Sequence, residues 1–252
     1  MKIKVGKVID LFFMIVCLFF FIFSLVHIIN WKLNNRANKK INEITHEYIT
    51  VGGEDKYKID FDKLKDINSD VIGYIRVNGT NIDYVVVQGK DNEYYLSKNL
   101  EKKDNKSGWI FLDYKNKLDG TDKNIIIYGH NTADKSMFGS LRNVLKEDWF
   151  NKKENHEIVF VTESGLVKYK VFSTYKIDNE EFYIKTDFVS DEEYKNFIKK
   201  IKKRSYFDFD VDTENVSQIL TLSTCSNQGK KRVVLHAARI IENNNEGESS
   251  NE

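Results

Sequence analysis

Cys225 closes the run Ile219-Leu220-Thr221-Leu222-Ser223-Thr224-Cys225. On a strand this run sends Leu220 and Leu222 to one face and Thr221, Ser223 and Cys225 to the other. A thiol ending a row of hydroxyls, just before the basic Ser226-Asn227-Gln228-Gly229-Lys230-Lys231, stands where a nucleophile would be reachable. Taken alone, a single cysteine is more often inert. Arg232, which opens the next strand, gives the thiol a context: a nearby guanidinium favours thiolate and offers a fixed fork of donors to an oxyanion. By itself, an arginine at a strand start is more often a surface charge.

A thiol nucleophile also needs a proton donor for the leaving amine, and histidine suits that role near neutral pH. Of the five histidines, His27 lies in or beside a long apolar run, His46 in a polar segment, and His156 next to the charged Lys152-Lys153-Glu154-Asn155. His130 ends the apolar Ile125-Ile126-Ile127-Tyr128 after a glycine, where side chains leave a core and reach a rim. His236 shares a strand face with Arg232, but four residues at about 3.3 Å each set it roughly 13 Å further along. It is read as structural, and the candidate catalytic set is Cys225, His130 and Arg232.

Those residues must be positioned by β structure. Short β-rich runs are predicted at Val71 to Val77, Ile82 to Val87, Gly108 to Leu112, Asn124 to Tyr128, Glu157 to Val161, Leu166 to Tyr175, Val216 to Thr224 and Arg232 to Ile241. Eight such strands suggest a closed barrel, with a hairpin at Asn78-Gly79. Phe61, Leu64 and Ile67 are spaced as one helix face before the first run. Between the sixth and seventh runs, Tyr194, Phe197, Ile198 and Ile201 recur at helical spacing, after a capping box of Ser190 and Glu193. This predicts an amphipathic helix packed on the barrel. Its basic face, Lys199, Lys200, Lys202, Lys203 and Arg204, could meet anionic lipid or wall polymer, although a solvated face is commoner.

The chain has 252 residues, 41% hydrophobic and 31% charged, with a formal net charge of +1. This balance fits one globular body with appendages and gives no field for nucleic acid. Residues 8 to 29, VIDLFFMIVCLFFFIFSLVHII, are apolar almost throughout and long enough, as a helix, to span a bilayer. A cleaved signal peptide would have a shorter apolar region ending in small residues, so an uncleaved anchor is expected. Lys2, Lys4 and Lys7 precede the span while Lys32, Arg36, Lys39 and Lys40 follow it, so charge counting does not orient it. The short leader and long polar body favour an inside N-terminus. Residues 1 to 7 are then a cytoplasmic leader, 30 to 58 a partly helical stalk, 59 to 241 the catalytic domain, and 242 to 252 a disordered tail. Cys17 falls inside the span, so Cys225 is alone in the body, with no intrachain disulfide and no thiolate zinc site.

Thr221-Leu222-Ser223-Thr224-Cys225 followed by Arg232-Val233-Val234-Leu235-His236 resembles the active-site signature of sortases, and the Ser before Thr-Cys looks like class B. Further resemblances run in order through Asn81-Ile82-Asp83-Tyr84, Asp91-Asn92-Glu93-Tyr94-Tyr95-Leu96, Gly108-Trp109-Ile110-Phe111-Leu112-Asp113-Tyr114 and Ile127-Tyr128-Gly129-His130-Asn131, the last leading to Ser136-Met137-Phe138-Gly139-Ser140-Leu141. Together they cover about residues 60 to 241. Two departures are Val85, where the family often has Pro, and the short connection from Cys225 to Arg232.

The resemblance implies a mainly β fold: an eight-stranded sortase-type barrel with N-terminal helices and a long helix between its sixth and seventh strands, preceded by one transmembrane helix. It implies a membrane-anchored cysteine transpeptidase facing outward, needing no cofactor. Its partners would be sorting-signal-bearing surface proteins and a peptidoglycan precursor amine. It further implies that Ser223, Leu96, Tyr183 and Ile184 meet the substrate peptide; ordinary core packing explains the last three about as well. The alternatives are another extracytoplasmic cysteine peptidase and a catalytically inactive surface-binding barrel.

Overall fold

In the computed structural model, which describes residues 5–53, 56–178, 180–225 and 231–240, the β-rich runs form strands and the strands close on themselves. In chain order the elements are α1 (Val5–His46), β1 (Ile49–Val51), β2 (Tyr57–Ile59), α2 (Phe61–Ile67), β3 (Val71–Val77), β4 (Asp83–Gln88), β5 (Phe111–Leu112), β6 (Asn124–His130), α3 (Glu147–Phe150), β7 (Glu157–Thr162), β8 (Gly165–Ile177), α4 (Asp191–Lys203), β9 (Ile219–Cys225) and β10 (Arg232–Arg239). The barrel runs β10-β8-β7-β3-β4-β5-β6-β9 and closes through the antiparallel pair β9 and β10. The β4–β5 and β6–β9 pairs are parallel. All seven residues of β6 are buried, as expected of a strand covered on both faces, which explains its unbroken Ile125-Ile126-Ile127 rather than an alternating pattern.

The third predicted run is shorter than expected. Gly108 has φ +55, Trp109 donates its N–H to the Tyr95 carbonyl (3.0 Å), and ladder pairing begins only at Phe111. The Asn78-Gly79 turn joins β3 to β4 as predicted, with Gly79 at φ +70 and Val77 N donating to Ile82 O (3.0 Å).

α4 lies between the sixth and seventh barrel strands, β8 and β9, and buries Tyr194, Phe197, Ile198 and Ile201 against Phe172, Tyr175, Ile219 and Val234. Its cap is half the predicted box. Ser190 Oγ accepts from Glu193 N (3.2 Å), but the Glu193 carboxylate turns to Val189 N and to Lys185 instead of the Ser190 amide. On its basic face, Lys200 and Arg204 lie over the Phe182 ring, and Lys202 donates to Val211 O (2.7 Å).

The segment predicted as a stalk has more structure than its polar composition suggested. α1 runs unbroken from the apolar stretch to His46, and its last three turns pack on the barrel: Asn38, Ile41 and Thr45 are buried. A small hairpin, β1 and β2, follows. Asn38 donates to Gly108 O (3.1 Å), Asn42 to Asp83 O (3.1 Å), and Asn105 to Asn38 Oδ1 (2.8 Å). Polar residues at helical spacing here form a docking face made of hydrogen bonds, which an apolar-periodicity reading does not detect. The apolar part of α1 has no buried residue among those described and is long and apolar enough, by length and composition, to cross a membrane. The tail from 242 to 252 lies outside the described residues.

Candidate active site

The parallel β6–β9 register pairs Ile127 with Leu222, Tyr128 with Ser223, Gly129 with Thr224 and His130 with Cys225. Two strands that run the same way end at the same rim, so the candidate base and nucleophile stand side by side on adjacent strands, a spacing of about 4.8 Å. The side chain of Cys225 and residues 226–230 lie outside the described part of the structure. Arg232 begins β10 on the far side of β9, in the strand register that pairs Val234 with Ser223. The backbone thus brings the three candidate catalytic residues to one end of the barrel.

His130 is 7% exposed, and its Nε2 lies 2.7 Å from the carbonyl oxygen of Leu96. A carbonyl only accepts, so in the neutral ring Nε2 carries the proton and Nδ1 is the nitrogen with a lone pair. Burial holds the imidazole below its usual pKa of 6.5, and the bond to Leu96 partly offsets that effect. Gly108 backs the ring: a Cβ there would lie 2.3 Å from Tyr95 O and 3.0 Å from His130 Cδ2.

Ser223 and Arg232 are joined through Tyr183. The Tyr183 and Ser223 hydroxyl oxygens are 2.8 Å apart, and an Arg232 terminal nitrogen donates to the Tyr183 hydroxyl at 3.4 Å. Ser223 and Tyr183 are both buried, so they support the site from beneath. Leu96 contributes its carbonyl to the site while its side chain packs against the main core, and Ile184 is half-buried between the two apolar clusters.

His236 is fully buried and meets this group only through the Tyr183 ring, edge to face at 6.3 Å between centroids. Its environment is a directional chain. Thr221 Oγ1 donates to Asn124 Oδ1 (2.6 Å) and so accepts from His236 Nδ1–H (2.8 Å); His236 Nε2 then accepts from the Tyr175 hydroxyl (2.8 Å). Asn124 Nδ2 continues it to Lys185 O (2.9 Å), securing the segment that carries Tyr183 and Ile184. Burial drives the His236 pKa down to about 3, which keeps the ring neutral.

Sequence reasoning missed two parts of this arrangement. The Leu96 carbonyl is a backbone group and has no residue-type signature. Asn124, at the head of an apolar strand, was a legible signal, since a buried amide there requires partners.

Comparison with known proteins bears on the family and the fold. The sortase domain family model matches residues 75–240. The chain is similar to the sortase B of Staphylococcus aureus (strain NCTC 8325 / PS 47), with 34% identity over 210 residues, covering 82% of this chain and 84% of the relative. The crystal structure of sortase B from B. anthracis in complex with AAEK1 superposes with a TM-score of 0.73 at 34% identity, covering 82% of this chain and 98% of that one. A sortase B complexed with triglycine gives a TM-score of 0.68 at 35% identity, covering 73% and 86%.

Proposed function

Because the chain belongs to the sortase family, class B, we propose that it is a membrane-anchored transpeptidase in which Cys225, His130 and Arg232 join surface proteins to cell-wall peptidoglycan. Cys225 sulfur attacks the carbonyl after the Thr of a C-terminal sorting signal, forming a C–S bond as the peptide C–N bond breaks. Arg232 donates to the oxyanion, and His130, which takes the thiol proton at Nδ1, passes it from there to the departing amine, because Nε2 is engaged by Leu96. An amine of a peptidoglycan precursor then loses a proton to His130 and attacks the thioester, making a new amide and releasing the thiol. Each peptide bond broken is replaced by another, so the cycle needs no cofactor.

The observation that carries this reading is the β6–β9 register, which pairs His130 with Cys225. The sortase B complexed with triglycine supports a small amine-bearing acceptor. Tyr183, Ser223, Leu96 and Ile184 form the floor and wall of the peptide groove. In this reading, residues 1 to 7 are the cytoplasmic leader and 8 to 29 the single span. Residues 30 to 58 link that span to the catalytic domain at 59 to 241, held on the outer face, and 242 to 252 form a tail.

The test is turnover of sorting-signal peptides by the full chain in detergent micelles, with and without triglycine. The expected result is cleavage in both cases and a ligated product only with triglycine, both abolished in Cys225→Ala. Cleavage that survives Cys225→Ala overturns the nucleophile, and equal loss in His236→Gln and His130→Gln overturns the choice of base.

A further inference from the structure

Just beyond the apolar stretch, α1 and the loop after β6 enclose a cavity of about 600 Å³, lined in part by Trp31, Lys32, Arg36, Lys39, Asp134 and Met137. Lys32, Arg36 and Lys39 recur at i, i+4 and i+7, so they form one stripe on the helix, and all three are exposed. The neighbouring stripe, Asn35, Asn38 and Asn42, turns to the body, where Asn35 Nδ2 donates to Asp134 Oδ2 (2.6 Å). Asp134 also accepts from Ser136 Oγ (2.7 Å), so the acid facing the cavity is committed to its own loop. Lys39 also pairs with Glu43 on its own helix (3.8 Å), so three cations face two engaged carboxylates and the cavity keeps a net positive charge.

Its level relative to a bilayer follows from helix geometry. Trp31 sits at the end of the apolar run, where an amphipathic indole belongs at the membrane interface. Lys32 and Arg36 are one and five residues further on, or roughly 2 and 8 Å along the axis, which is the depth of the headgroup layer. Cations on this side of the span work against the usual charge bias that orients a membrane helix, so they call for another role.

We propose that this cavity holds the phosphate of an anionic phospholipid from the outer leaflet, clamped by Lys32, Arg36 and Lys39. The lipid fixes the height and tilt of the barrel over the membrane. Asn35 and Asp134 tie the clamp to the loop that follows His130. The proposal rests on the reading that α1 crosses the bilayer.

Native mass spectrometry of the full chain in detergent micelles tests it, with phosphatidylglycerol, phosphatidylcholine and inorganic phosphate as probes. The expected result is selective retention of phosphatidylglycerol. Retention should weaken about fivefold per charge removed and on the order of a hundredfold in Lys32→Gln/Arg36→Gln/Lys39→Gln. Lys32→Arg/Lys39→Arg should keep it, and so should Lys40→Gln, whose exposed side chain does not line the cavity. Equal retention of both lipids, or equal loss in Lys40→Gln and the triple variant, overturns the clamp. Displacement of the lipid by inorganic phosphate overturns the lipid assignment. Alkaline carbonate extraction tests the underlying reading separately: release of the chain from membranes refutes the span whatever lipid is retained.

Discussion

His130 and Leu96, 34 residues apart, are joined by a 2.7 Å contact between the imidazole Nε2 and the Leu96 carbonyl oxygen. One ring nitrogen is thereby fixed as a donor, and in the proposed mechanism proton exchange falls to the other. Burial and this bond act on the ring in opposite directions, and burial dominates.

The direction of that balance can be measured. In a histidine NMR titration of the folded chain, the His130 resonances should move with a midpoint below 6.5, and those of His236 should stay unchanged down to about pH 4. A His130 midpoint at or above 6.5 would contradict the burial argument.

Stability should follow His236. Its folded pKa, about 3, is below the unfolded value of 6.5, so the unfolded chain binds the extra proton. Stability is therefore full above about pH 6.5 and falls as pH drops from there toward 3, approaching about 1.4 kcal/mol per pH unit for this one proton. Urea unfolding at a series of pH values should show at least this slope, and His236→Gln should reduce it by that one proton's share, His130 and His156, which burial also shifts down, supplying part of the rest.

Gly108→Ala should damage both folding and chemistry. The new Cβ would sit 2.3 Å from Tyr95 O at φ +55, and close to the His130 ring. A cost of about 1–3 kcal/mol is expected from the backbone alone, together with a lower kcat. Thermal unfolding and peptide turnover on the same sample separate the two effects, and unchanged kcat in the folded variant would show that Gly108 does not position His130.

Tyr183→Phe removes the hydroxyl between Ser223 and Arg232 without changing ring volume. Turnover should fall by roughly 10-fold or more, and combining it with Ser223→Ala should cost less than the sum of the two, since both remove one network. Additive losses in the double-mutant cycle would show that the two hydroxyls act separately.

What was legible in the sequence was what periodicity encodes. The alternating Leu220, Leu222 row ending at Cys225, the apolar 125–127 run and the Tyr194 to Ile201 stripe each became the predicted element, although spacing told the buried face only for the helix, since both faces of β6 and of the Leu220–Thr224 part of β9 are buried. The docking of α1 was hidden because Asn35, Asn38 and Asn42 bind by hydrogen bonds to backbone atoms and side chains some 40 to 100 positions away. The Leu96–His130 bond was hidden for a related reason: its acceptor is a main-chain oxygen, present at every residue.

The parallel pairing of β6 with β9 also bears on how the protein comes into being. His130 and Cys225 meet only through partners 95 positions apart, so closing that loop precedes any reward from the contact. A chain still emerging, or one that has made only its local hairpins, has a thiol and an imidazole but no dyad. In the proposed function, the catalytic pair therefore waits on the docking of β9 against β6, which local hairpins alone do not bring about.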